Sequence, residues 1–357
     1  MAGRTTIRVR HAKKLAATQV IPFSRQIASM LGAGMSILSS IMTLEEQCDN
    51  PDFKKVLRHL LDVIERGEPL SAGLADFPQL FDEMYVNMVI AGEQSGQFAP
   101  VMRRLSLILA SASRLRKKVK SAMTYPAVIM SIACLMAAGL IQFVVPVFAD
   151  MFAGFGKELP WLTQKLVDVS DFVKAWWYII LPIVMAAVWA FRRWKKTEFG
   201  RRRFDEWMLR LPVFGQLNQK ASIGRFCRLL AQMIAAGVPI LKSLKVVAGS
   251  IGNTVLEQAI LAARQEVEQG NQLSPSLEGK PYMPTLMVRM IAAGEKAGKV
   301  EDMLDSVADA YDEDVEVMLG TLTSLMEPFL MVFLGIVIGT IVLAMFLPIF
   351  NLGSIAH

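Results

Sequence analysis

Histidine is nearly missing from this chain. His11, His59 and His357 are its three examples in 357 residues, with neither metal-ligand spacing nor a carboxylate partner nearby in sequence. Cysteine is as scarce. Cys48, Cys134 and Cys227 form no Cys-x-x-Cys pair, which excludes a disulfide framework or a thiolate metal site and predicts three small buried thiols. No stretch alternates apolar and polar residues, so no sheet is predicted. The first nineteen residues lack the apolar core and small-residue cleavage pattern of a secretory signal. They are expected to be a basic, mobile arm (Arg4, Arg8, Arg10, Lys13, Lys14), solvated or near anionic lipid, with the chain starting in the cytoplasm.

Charge is also thin, at 20% against 53% hydrophobic residues, and it vanishes from three windows, about 126–148, 175–191 and 328–350. Windows of this kind predict transmembrane helices, since about 20 residues at ~1.5 Å each cross a ~30 Å hydrocarbon core. The second is near the short limit and is framed by Trp176, Trp177, Tyr178, Trp189 and Trp194, as in an aromatic belt. No Asp, Glu, Lys, Arg or His lies inside them, which disfavours a pump or coupled transporter. Gln142 and Pro182 are read as packing features. Gly335 and Gly339 have the small-xxx-small spacing of a close helix contact.

The net charge of +6 and pI near 9.2 do not imply nucleic acid, because the basic residues cluster beside the apolar windows. Arg114, Arg116, Lys117, Lys118 and Lys120 precede the first window. Arg192, Arg193, Lys195, Lys196 and Arg201 to Arg203 follow the second. The 149–174 loop balances Lys157, Lys165 and Lys174 with Asp150, Glu158, Asp168 and Asp171. The positive-inside rule therefore places 20–125 and 192–327 in the cytoplasm, and the 149–174 loop and the 351–357 tail outside.

What is abundant is repetition. Phe226 to Ser243 aligns with Phe23 to Ser40 at an offset of 203, and nine of the nineteen positions from Phe23 to Ile41 are identical in the two copies. Gly67 and Ser71 recur as Gly270 and Ser274. One residue is then lost: Gly92, Glu93, Gly96 and Pro126 recur as Gly294, Glu295, Gly298 and Pro328, each proline thirty-four residues after the first glycine. Apolar residues at three- and four-residue steps from Phe23, the Asn50-Pro51 helix start and the Gly67 stop predict about six short helices per copy. The fold class is an all-α integral membrane protein, with two repeated cytoplasmic helical bundles and three transmembrane helices.

No catalytic constellation emerges. Gly294-Glu-Lys-Ala-Gly298-Lys299-Val300 resembles a phosphate loop only superficially: Ala293 stands where the first glycine is needed, Val300 where Ser or Thr is needed, and a helix precedes it. Glu93 and Glu295 are expected to cap the following helix, or alternatively to bind a partner's cation. Pro126 and Pro328 suit the first turn of a span, with Tyr125 and Glu327 beside them at the membrane surface. Arg114 corresponds to Glu316, so the membrane-proximal helix is basic in one copy and acidic in the other. The two ends either attract, with Glu327 also available to basic residues of the other copy, or are solvated independently.

Taken together, these paired motifs resemble the GspF/PilC family, the inner-membrane platform proteins of type II secretion and type IV pilus machines. The resemblance covers about residues 20–350. Phe23, Arg25, Gly34, Gly92, Glu93, Gly96, Tyr125 and Pro126 match its first-copy pattern. Phe226, Arg228, Gly237, Gly294, Glu295, Gly298, Glu327 and Pro328 match its second. It implies a homo-oligomeric, non-enzymatic scaffold without cofactor. Such a scaffold docks a hexameric assembly ATPase and works with pilin or pseudopilin subunits, other inner-membrane assembly proteins and the lipid bilayer. The alternative from another class is an oligomeric small-solute channel or transporter, and a membrane-anchored signalling adaptor is a third.

Overall fold

Every regular element is helical in the computed structural model, which describes residues 7, 12–144, 146–147, 160–195 and 197–353. Most of the expected outer loop before residue 160 and most of the terminal tail lie outside the described residues. So do His11, His357, Asp150, Lys157 and Glu158.

The first copy is built of α2 (Val20–Gly32), α3 (Ile37–Glu46), α4 (Pro51–Glu65), α5 (Leu70–Ala75), α6 (Glu83–Ser95) and the start of α7 (Phe98–Gly139). The second repeats it as α10 (Phe214–Ala235), α11 (Ile240–Ser250), α12 (Thr254–Glu268), α13 (Leu273–Leu277), α14 (Thr285–Ala297) and the start of α15 (Val300–Gly353). Six helices per copy is the number read from the sequence.

The repeat extends to the local chemistry. Asn50 Oδ1 accepts from the N–H groups of Asp52 and Phe53 at 3.1 Å each, and Asn253 Oδ1 from Val255 and Leu256 at 3.0 and 3.3 Å. The same residue thus starts the same helix twice. Gly67 and Gly270 end those helices at φ 81° and 97°, in the left-handed region where a Cβ is strained.

Both bundles belong to one compact unit, which comprises Met1–Arg116 and Arg202–Val315. Phe23 and Phe226 sit in its apolar core, 2% and 0% exposed, and α6 packs against α11 where the copies meet. Phe23 lies edge-on to Phe53, with ring centroids 5.8 Å apart. The supposed mobile arm is partly tied down. α1 (Ala12–Thr18) places Leu15 in the core at 3% exposure, and Ile7 N–H donates to the Asp76 carbonyl at 3.0 Å. Ile7, Ala12 and Ala16 pack against the same core.

The second unit comprises Lys117–Arg201 and Glu316–His357. α7 and α15 are each long and apolar enough to cross a membrane. α7 ends in a π-helical turn at Leu140–Val144. A third candidate, α8 (Trp161–Trp194), is bent by 76° between Trp161–Trp176 and Leu181–Trp194. Pro182 lies just past that bend, where its missing N–H and its ring weaken the preceding turn. The expected span 175–191 thus lies within a bent helix that begins fourteen residues earlier.

Both prolines differ from expectation too. Pro126 and Pro328 do not open helices; each lies well inside a continuous one, α7 or α15. Among the cysteines only Cys227 is buried, while Cys48 is intermediate and Cys134 exposed on α7. On a helix with an apolar side meant for lipid, a small residue need not face protein.

Candidate docking surface

The two glutamates of the repeated motif do not cap the helix that follows them. Each reaches back twenty-odd residues to the start of a short helix. Glu93 accepts from Ser71 N–H at 3.1 Å and from Ser71 Oγ at 2.5 Å, at the first turn of α5. Glu295 accepts from Leu273 N–H at 2.6 Å, Ser274 N–H at 3.2 Å and Ser274 Oγ at 2.5 Å, at the first turn of α13. A short helix leaves its first N–H groups unsatisfied, and a half-buried carboxylate answers them while complementing the positive end of the dipole. The serines were visible in the repeat, but spacing alone could not show that the glutamates hold them.

The glycines of the motif have two separate uses. Gly96 and Gly298 end α6 and α14 in the left-handed region, at φ 70° and 66°. Gly92 and Gly294 are inside those helices, not at their ends, and let the next helix pass closely. A Cβ on Gly92 would meet Val101 Cβ at 3.1 Å, and one on Gly294 would meet Val300 Cα at 2.9 Å. Gly34 and Gly237 follow α2 and α10 at φ 86° and 81°.

The copies part company at the arginine of the Phe-x-Arg motif. Arg228 donates to Asp309 Oδ1 at 2.6 Å, to Asp312 Oδ2 at 2.9 Å and to Asp305 Oδ1 at 3.3 Å. Partial burial pulls the Arg228 pKa down, but the hydrogen bonds and charges of Asp309 and Asp312 outweigh it and leave it raised. At the offset of 202, Asp305, Asp309 and Asp312 correspond to Arg103, Leu107 and Ala110. Arg25 is exposed, with no ion pair to it among the described residues. Arg103 is exposed as well, and Leu107 is 57% exposed. The first bundle therefore offers a basic and apolar face where the second satisfies its arginine from its own chain.

Other groups that the sequence left isolated find partners. His59 lies 2.9 Å from Asp76 Oδ2 and edge-on to Phe77. Lys118 pairs with Glu316, so the basic and acidic membrane-proximal helices do meet within one chain. Lys220 pairs with Asp314 at 2.6 Å. Glu327 is exposed and joins no ion pair among the described residues. Tyr125 is 52% exposed, and Pro126 is buried. The sixteen motif residues do not converge on one point: they serve as core (Phe23, Phe226), caps, close approaches and surface. Among the described residues, no group of three or more His, Cys, Asp or Glu is placed to hold a metal.

Comparison with known proteins agrees with this layout. The sequence model of the family described as type II secretion system (T2SS), protein F, matches residues 23–146 and again 226–348, the two copies. The type IV pilus assembly protein PilC of Pseudomonas aeruginosa is 37% identical over 344 residues, 96% of this chain and 92% of that protein. PilC of Thermus thermophilus is 39% identical over 331 residues, covering 92% and 81%. The type II secretion system protein F of Pseudomonas aeruginosa is 31% identical over 348 residues, covering 98% and 86%. With both halves matched and the alignments spanning nearly its full length, this all-α membrane protein belongs to the type II secretion system protein F family.

Proposed function

We propose that the chain is an inner-membrane platform scaffold in type IV pilus or type II secretion assembly. In this reading it couples a hexameric cytoplasmic ATPase to the extraction and polymerisation of pilin or pseudopilin subunits, and does no chemistry itself. Both bundles and the N-terminus face the cytoplasm. The loop before α8 and the C-terminal tail lie on the other side, and α7, α8 and the end of α15 are the anchors. The names of the relatives and the basic residues flanking the apolar windows support this reading.

The observation that carries it is the divergence of the copies at one surface. Duplication kept the caps, glycines and core, so the fold is the same; the Arg228 face is neutralised from within, whereas Arg25, Arg103 and Leu107 are left outward. An exposed basic face around an apolar residue suits an acidic partner surface, and oriented charge of this kind raises association rate and specificity.

The test is co-purification of the full-length chain with the assembly ATPase of the same organism, together with the hydrolysis rate of that ATPase. Binding and a raised rate are expected. A double substitution of Arg25→Glu and Arg103→Glu should weaken binding by about tenfold or more, since removing and reversing interface charges costs upward of ~1.4 kcal/mol. Nucleotide hydrolysis by the purified chain alone would overturn the reading, as would solute flux through it in liposomes with no ATPase binding.

A further inference from the structure

We propose that the outer face of α9 (Glu198–Arg210) is a binding site for anionic phospholipid headgroups, with Trp207 seated in the interfacial layer. One face of α9 is fastened to the second bundle. Asp205 Oδ2 accepts from Thr254 N–H at 2.9 Å and from Thr254 Oγ1 at 2.8 Å, at the first turn of α12. Asp205 and Leu209 are 9% and 8% exposed, so they mark the inner face. At ~100° per residue, Arg203, Trp207 and Arg210 fall on the opposite side. Trp207 is 58% exposed there, an unusual position for the largest apolar side chain of a water-facing helix.

Charge and chain connectivity identify the occupant. From Arg192 to Arg210 the chain carries eight basic residues and three acidic ones. Of the acidic three, Asp205 is engaged by Thr254, and Glu206 accepts from Arg210 at 2.6 Å. The segment as a whole therefore carries a clear excess of positive charge beside an exposed indole, the composition of segments that lie at a bilayer surface. Trp207 follows Trp194, the end of the apolar helix α8, by only thirteen residues. A segment tethered so closely to a span stays near the headgroups, where each basic residue is attracted within a screening length of ~10 Å. An acidic protein would also suit such a face, but only the bilayer is brought to it by the chain itself.

The inference rests on α8 lying in the membrane, not on which side α9 occupies. The experiment uses the full-length chain reconstituted in vesicles of phosphatidylcholine alone, or of equal parts phosphatidylcholine and phosphatidylglycerol. Lipids brominated high on the acyl chain quench any tryptophan near the interface. The contribution of Trp207 is the difference between the parent chain and Trp207→Phe, and that of Trp189, inside α8, comes from Trp189→Phe. Trp207 should be quenched about twofold more by brominated lipid when phosphatidylglycerol is present. That difference should shrink with added salt and be lost in Arg203→Gln/Arg210→Gln, while the helical circular dichroism of the variant stays that of the parent. Trp207 quenched equally by an aqueous quencher in both vesicles, and untouched by brominated lipid while Trp189 is quenched, would overturn the inference. Shielding of Trp207 only on addition of a soluble protein would do the same. If Trp189 also escapes brominated lipid, the placement of α8 fails and the inference falls with it.

Discussion

Glu93 and Glu295 show how a motif residue acts through geometry that its neighbours do not announce. Each holds the first turn of a short helix that would be marginal alone, since helices of five or six residues are too short to be stable unaided. Glu93→Ala strands Ser71 N–H and Oγ, and Glu295→Ala strands the N–H groups of Leu273 and Ser274. Each should cost about 1–2 kcal/mol, seen as a Tm lower by several degrees. Ser71→Ala and Ser274→Ala lose only the hydroxyl bond, so their effect should be the smaller; equal melting temperatures for all four variants and the parent would contradict the assignment.

Protonation at other single residues has a definite sign. Burial pushes the Cys227 thiol and the Tyr85 hydroxyl up from 9.0 and 10.0, and pushes Tyr311 up to about 12. From about pH 9 upward the unfolded chain therefore releases protons that the folded chain keeps, and stability falls as pH rises. Below that range all three are protonated in both states and contribute no slope. Tyr311→Phe, which retains the packing, should flatten the alkaline loss measured by chemical denaturation across that window; an unchanged slope would show that Tyr311 titrates freely.

At the scale of elements, the contrast lies between glycines of the same sequence motif. Gly92→Ala and Gly294→Ala press a methyl group against the adjoining helix. Gly294 should suffer more, because the obstacle there is backbone, Val300 Cα at 2.9 Å and Lys299 O at 3.1 Å, whereas Gly92 meets the Val101 side chain. Losses of about 1–3 kcal/mol are expected, the larger for Gly294. Gly32, at the end of α2, has nothing within 4 Å and no positive φ, so Gly32→Ala should be neutral or stabilising by up to about 1 kcal/mol. Thermal melts of the three variants check the order. The bend in α8 belongs to this scale as well: the straight arm Leu181–Trp194 is about 21 Å long, short of a ~30 Å core, so the bend decides how the segment meets the bilayer.

For the whole molecule, the charge pattern follows the duplication. α15 carries acid where α7 carries base, and Arg228 and Lys118 join the two kinds of charge within the chain. Lys118 and Glu316 are about half exposed, and although Arg228 is itself partly buried, its aspartate partners stand open to solvent. Arg228→Gln should therefore lower stability by no more than about 1–2 kcal/mol at low salt, an effect that fades as salt is raised. Denaturant titrations at two ionic strengths measure it, and a loss independent of salt would mean that packing, not charge, holds Arg228. The proposed orientation is checked separately: a reporter active only in the cytoplasm, fused after Phe191, should be active.

Much of this was determined by the sequence itself. Local periodicity, the Asn caps, the left-handed glycines and the charge-free windows act over a few residues, and an internal repeat doubles each signal, so helix number and the two-copy plan were legible. Bonds between distant residues were decided by tertiary structure alone. Ser71 to Glu93, Asp205 to Thr254, Arg228 to three aspartates and His59 to Asp76 depend on where helices cross, which no spacing in sequence encodes. The interior position of Pro126 and Pro328 was likewise visible only in the structure. The sequence shows where a helix is weakened by one missing N–H bond, but not whether the turns on either side carry it through.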